Sequence, residues 1–204
     1  MGLDIHYQAM PESSNLLERA RHEPRIGSNL EFFKSYALTT QKQLDDRIYE
    51  QHIVDFIYQA RQSLEQYLGI EYRNLYLGRR WDTLYYLLSE RRRKGEERDW
   101  SQWVEKAIFG GEVLNEETQT TIGFPIRYLY PTEVLKVRDN LKAVTPAMLH
   151  GHWNPYKMNE AGVYKIRGDE DENYFTWIKE DLEKLKTFYD SIAEHDEGVL
   201  AFMG

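Results

Sequence analysis

The sequence predicts a helix-rich α/β domain built on a small mixed sheet covered by helices, and three observations lead there. Residues 3–10 alternate Leu3, Ile5, Tyr7 and Ala9 against Asp4, His6, Gln8 and Met10, the period of two expected of a strand with one buried face. After Gly198, the short apolar run Val199-Leu200-Ala201-Phe202-Met203 reads as a buried strand. Between them, most apolar residues recur at helical spacing. Two or three strands so far apart in sequence need helices to cover them, and the two terminal strands are expected side by side.

Taken in order, Pro11 suits the first turn of a helix whose apolar stripe is Leu16, Leu17 and Ala20, because its missing N–H goes unnoticed there. The segment His22-Glu23-Pro24-Arg25-Ile26-Gly27-Ser28-Asn29 reads as a break. Thr40-Gln41-Lys42-Gln43 has the form of a capping box, and Leu44, Ile48, Ile53, Phe56, Ile57, Ala60, Leu64 and Leu68 follow at helical spacing up to Gly69. This is the longest helix the spacing predicts. The stretch Leu75 to Glu90 reads as a turn at Gly78 and then a helix, with Trp81, Leu84, Tyr85 and Leu88 on one stripe and Asp82 in its first turn.

Residues 91–99 form a polar linker. Trp100, Trp103, Val104, Ala107 and Ile108 then predict a short helix that Gly110-Gly111 stops. Residues 121–130 look like a strand whose Pro125 places it at an edge or beside a bulge. Pro131 opens a helix carrying Val134, Leu135, Val137 and Leu141, and Thr145-Pro146 repeats that start signal for a short helix through Leu149. The region from Trp153 to Ile166 is loop-like, with Asn154-Pro155 and Ala161-Gly162 as breakers. A helix from Asn173 to about His195 turns Phe175, Ile178, Leu182, Leu185, Tyr189 and Ile192 inward.

At 204 residues one domain is expected. Its formal net charge of -8 argues against a nucleic-acid backbone as partner, since such binding needs Lys and Arg to displace counterions. The basic run Arg91-Arg92-Arg93-Lys94 is followed at once by Glu96, Glu97 and Asp99, and reads as a solvated helix end. No cysteine is present, which excludes disulfides, thiol nucleophiles and Cys-ligated zinc and fits a reducing compartment. Neither a signal peptide nor a run of about 18 apolar residues is visible, so a cytoplasmic protein without a membrane partner is expected.

His150-Gly151-His152 has a metal-like spacing, but a third ligand is needed and the pair follows a helix instead of lying in a strand. No metal is expected. Gly110-Gly111-Glu112 has no Lys-Ser/Thr partner, which favours a helix stop over an anion loop. Arg79, Arg80, Asp82 and Arg127 would make a polar cluster if the helix beginning near Trp81 packs beside the 121–130 strand. Their guanidinium groups suit a carboxylate or phosphate, and the structural alternative is an Arg–Asp ion pair among surface arginines. There is no Gly-x-Ser-x-Gly elbow of a serine hydrolase.

Four motifs in order, Arg80-Trp81-Asp82-x-Leu84, Ala107-Ile108-Phe109-Gly110-Gly111, Arg127-Tyr128-Leu129-x-Pro131-x-Glu133-Val134 and the closing Leu185 to Phe202 segment, resemble the YfbM-like family of bacterial proteins, domain of unknown function 1877. The resemblance covers the first strand and about residues 72–204, with 28–70 as a helical elaboration of a single domain. It implies a three-layer arrangement and no established activity; no cofactor is expected. Tyr85 stands where the family is associated with histidine, Ser89-Glu90 replaces a Thr-Gly pair, and Tyr164 in Gly162-Val163-Tyr164 matches the family's aromatic. The candidate ligand-binding set is therefore Arg80, Asp82, Tyr85, Arg127 and Tyr164. The expectation is a protein- or small-ligand-binding module, taking a protein partner or a small anionic ligand. The alternative is a small-molecule enzyme, with Asp82 as base or orienter and Arg80 or Arg127 holding an anionic substrate.

Overall fold

In the computed structural model, which describes residues 2–47, 49–65, 73–89, 99 and 101–204, strand β1 (Ile5–Met10) runs between two neighbours. Strand β2 (Asn74–Gly78) pairs with it antiparallel on one side. On the other side β5 (Gly198–Met203) pairs antiparallel along its whole length, Ile5 opposite Met203 and Met10 opposite Gly198. The terminal strands are thus neighbours, as their patterns imply. Two short strands, β3 (Glu112–Val113) and β4 (Arg127–Leu129), complete the order β2-β1-β5-β4-β3. All four pairings are antiparallel.

Alternation along the strands divides the apolar side chains into two cores. Ile5, Tyr7, Ala9, Leu75, Leu77, Val199, Ala201 and Met203 lie in one, and Met10, Tyr128 and Leu200 in the other. The second core is closed by α1 (Asn15–His22), α2 (Pro24–Ser28), a 3₁₀ turn (Asn29–Phe32), α3 (Phe33–Ala37) and α5 (Gln51–Glu65). Between the last two, α4 (Gln41–Asp45) buries no side chain. The first core is closed by α6 (Trp81–Ser89), α7 (Trp103–Phe109), α8 (Pro131–Ala143), α9 (Pro146–His152), α10 (Pro155–Glu160) and α11 (Glu172–Glu194). Helices, sheet and helices make three layers.

Several boundaries differ from the sequence reading for physical reasons. The break at 22–29 holds α2, because Pro24 sits at its first turn and Ile26 and Gly27 are buried. The long helix expected over residues 40–68 is two helices. Its capping box is real, with Thr40 and Gln43 bonded reciprocally, but the five residues it starts have no apolar face to pack, and the buried positions begin only with Phe56, Ile57 and Ala60. Among the described residues α11, with 23, is the longest helix. The turn expected at Gly78 is preceded by a strand that the sequence reading did not assign, with Leu75 and Leu77 buried and Asn74 and Tyr76 exposed. Asn154-Pro155 starts α10 where the sequence suggested a breaker, the Asn154 side chain accepting from the Lys157 N–H. Ile48, Leu68, Gly69, Glu90, Trp100 and residues 91–98 of the linker lie outside the described residues.

The end of α7 shows how the layers are joined. The last carbonyls of a helix lack partners within it, and here two buried phenols supply them. Tyr7 of β1 donates to the Ile108 oxygen at 2.7 Å, and Tyr189 of α11 donates to the Ala107 oxygen at 3.0 Å. Burial holds both phenols far above the ordinary tyrosine range, so both remain donors. On the opposite face Tyr128 donates to the Met10 oxygen at 2.9 Å. Its hydroxyl fills the space that a side chain at Gly198 would need, for a Cβ there would lie 2.2 Å from it. Arg73 and Glu197, whose side chains are 8% and 5% exposed, pair at 2.7 Å and tie the start of β2 to the start of β5.

Two outcomes follow from these contacts. Tyr7→Phe leaves the Ile108 carbonyl buried without its donor and lowers stability by about 1–3 kcal/mol, read from the urea midpoint at unchanged slope. His6 lies between Phe202, stacked at 5.6 Å, and Tyr76 at 4.8 Å; burial depresses its pKa, with Asp4 opposing. The unfolded chain therefore takes up this proton more readily, and stability present above about pH 6.5 declines as pH falls toward the depressed folded value. Thermal melts between pH 8 and about pH 5 should show less of that decline in His6→Gln.

Candidate functional site

The turn that leads β2 into α6 places two residues at one end of the sheet. Gly78 adopts φ 59, a left-handed conformation that glycine takes without strain, and α6 begins three residues later with Trp81 and Asp82. Trp81 donates from Nε1 to the Leu3 oxygen at 2.9 Å. The Leu3 N–H donates to the Tyr164 hydroxyl at 3.0 Å, and the Tyr164 N–H donates to Asp82 Oδ2 at 2.7 Å. These three bonds close a circuit between the segment before β1, the start of α6 and the loop after α10. The loop turns through two left-handed residues, Gly162 at φ 73, which costs a glycine nothing, and Lys165 at φ 63, which is strained. The Tyr164 ring stacks on Trp81 at 6.4 Å, with Lys165 Nζ 5.4 Å from its centroid.

Arg127 reaches the same end from β4. Its register partner is Ala201, which puts both on the sheet face that carries Tyr7. Gly110, at the end of α7, lets them lie there; a Cβ would stand 2.8 Å from that of Ala201 and 3.2 Å from that of Arg127. Gly110-Gly111 is thus a helix stop and also a close approach of backbone to sheet. Arg127 donates to the Gly111 oxygen at 2.8 Å, which fixes the plane of its guanidinium.

Together these groups border a cavity of about 470 Å³. The sheet contributes Ile5, Ala201 and Met203, the helices Trp81, Asp82 and Phe109, and the loop Gly162 and Tyr164; Leu3, Phe124, Pro125, Arg127 and Phe202 complete the lining. Trp81 and Phe109 meet edge to face at 5.5 Å. Asp82 is 2% exposed.

Of the five candidates from the sequence, Asp82, Arg127 and Tyr164 line this cavity together. Arg80 points elsewhere, in a two-bond ion pair with Asp181 at 2.6 and 3.1 Å that fastens the start of α6 to α11. Tyr85 lies behind the cavity wall, donating to the buried Glu105 at 2.8 Å with its ring 5.0 Å from Phe109. The two histidines of the HxH pair diverge: His150 approaches Glu172 at 3.4 Å and His152 the Leu87 oxygen at 3.2 Å. Lining residues that sequence reasoning left in other roles are Trp81, assigned wholly to the core, and Phe109, Phe124 and Leu3. The signal for Phe109 was present in the glycine pair after it; nothing local marks Leu3.

This three-layer α/β chain matches a family of unknown function. The model of that family, a domain of unknown function, DUF1877, matches residues 32–202, and the chain belongs to it. Among solved structures the chain is similar to YfbM from Escherichia coli, a protein of unknown function, with a TM-score of 0.61 and 15% identity over 98% of this chain and 99% of that one. At that identity the likeness shows the fold alone. No curated protein matches the chain. Among the described residues, no helix is long and apolar enough to cross a membrane.

Asp82→Ala removes a charged acceptor from the loop. The expected cost is about 1.5–3 kcal/mol, and amide hydrogen exchange at Tyr164 should quicken by at least about tenfold while exchange in β1 changes only with global stability.

Proposed function

We propose that this chain is a small-ligand-binding module whose site is the cavity between Trp81, Phe109, Arg127 and Tyr164. One observation carries the reading: about 470 Å³ of mostly apolar space is met by three polar side chains from three separate elements. Ligand sites are concave and largely apolar, of roughly 300–1,000 Å³, with a few placed polar groups. The hydrogen-bond circuit supports it further, because walls fixed in advance need not be ordered when a ligand enters. The enzyme alternative keeps Asp82 and Arg127, but the Asp82 carboxylate accepts the Tyr164 N–H and so positions a wall, which favours binding. The absence of cysteine fits a cytoplasmic setting.

The test uses N-phenyl-1-naphthylamine, a neutral apolar fluorophore. Its emission should saturate at one probe per chain. Leu3→Trp, a partly buried lining residue enlarged where its backbone contacts are kept, should weaken that binding by at least about tenfold with the melting temperature nearly unchanged. Failure of the natural chain to bind the probe saturably, or equal binding by the variant, overturns the proposal.

A further inference from the structure

Resting on the cavity reading above, we infer that the ligand is a small amphipathic anion, with an apolar body against Trp81, Phe109 and Met203 and a single anionic head between Arg127 and the Tyr164 hydroxyl. The size and lining set the body, since ten of the thirteen residues that border the cavity are apolar or glycine. Hydrogen-bond accounting sets the head. The Tyr164 oxygen accepts the Leu3 N–H, which leaves its own O–H proton to be donated. No acceptor for that proton stands among the described residues.

The other polar groups point the same way. Trp81 spends its only donor on the Leu3 oxygen, so the indole offers a ligand carbon surface alone. Arg127 brings a permanent positive charge to the wall, oriented by Gly111. Asp82 is the one acidic side chain of the lining. Its Oδ2 already takes the Tyr164 N–H, it is 2% exposed, and it lies in the first turn of α6, where the helix dipole favours a carboxylate. At 2% exposure and with one oxygen bonded to the loop, that carboxylate offers a cation little surface to approach. What the cavity presents is therefore a guanidinium and a hydroxyl donor, and the complementary head is a carboxylate or another small anion.

Calorimetric titration of the full chain with three probes of one shape separates the possibilities: 1-naphthaleneacetate, its neutral amide, and 1-naphthylmethylamine. The acetate should bind at least about tenfold tighter than the amide, the amine weakest. Arg127→Met should erase the preference for acetate over amide, and Arg127→Lys should keep part of it. Tyr164→Phe should reduce it several-fold while amide binding persists. Equal binding of acetate and amide, or preference for the amine, overturns the anionic head and leaves the cavity reading standing. So does failure of the acetate in a chain that still binds N-phenyl-1-naphthylamine. Loss of the neutral fluorophore together with all three probes removes the cavity reading and this inference with it.

Discussion

Strand β1 has neighbours on both edges and side chains buried on both faces. Ile5, Tyr7 and Ala9 face one core, and Gln8 and Met10 are buried on the other side. A strand in that position cannot lie at the surface of a two-layer protein, so two separate groups of helices are required to cover the sheet. Its one buried amide shows how strict the constraint is. Gln8 is 5% exposed, and its Nε2 donates to the Ala9 and Arg73 oxygens at 2.8 and 3.3 Å; left without partners, such a group would cost a few kcal/mol, of order 1–3.

The same dry interior accounts for four of the fifteen tyrosines. Helix ends and strand ends brought into a dry interior carry carbonyls that need donors. Tyr7, Tyr128 and Tyr189 reach from other elements to supply them at Ile108, Met10 and Ala107. Tyr85 serves the buried Glu105 in the same way. Each ring adds apolar surface to the core while its tip bonds a group that would otherwise stand unpaired. Tyr164 differs from these four. Its oxygen receives a bond from the Leu3 N–H and its backbone gives one to Asp82, so the residue is held from both ends at the border of a cavity.

That cavity persists because its walls are fastened to parts of the fold that have other reasons to stay put. Trp81 is anchored through Leu3 to the strand that opens the chain, and Phe109 ends a helix whose carbonyls are taken by Tyr7 and Tyr189. The glycine pair after Phe109 lets the backbone approach β4 and β5, where a methyl group at Gly111 would stand 2.4 Å from the Tyr128 oxygen. Lys165 holds a left-handed conformation in the loop that carries Tyr164, a strain of about 1–3 kcal/mol that persists only where neighbours determine it. An apolar space that could collapse in a looser protein is kept open by its surroundings.

By itself the sequence determined what depends on near neighbours along the chain. The alternation of β1 and the apolar run of β5 were legible, as were the helix starts at Thr40, Pro131 and Thr145 and the stop at Gly110, because caps, prolines and glycines act within a turn of their own position. Asp82, Arg127 and Tyr164 were legible as residue types. Their convergence, and the departure of Arg80 and Tyr85 from it, was not. Tertiary structure decided that Arg80 belongs to Asp181, 101 residues away, and that Tyr164 belongs to Leu3, 161 residues away. It also decided that Leu75 and Leu77 pair as a strand beside β1 and that the helix expected from residue 40 divides. Periodicity records which face of a segment is apolar, but the partner that covers that face is set by packing between distant segments, which no local spacing encodes.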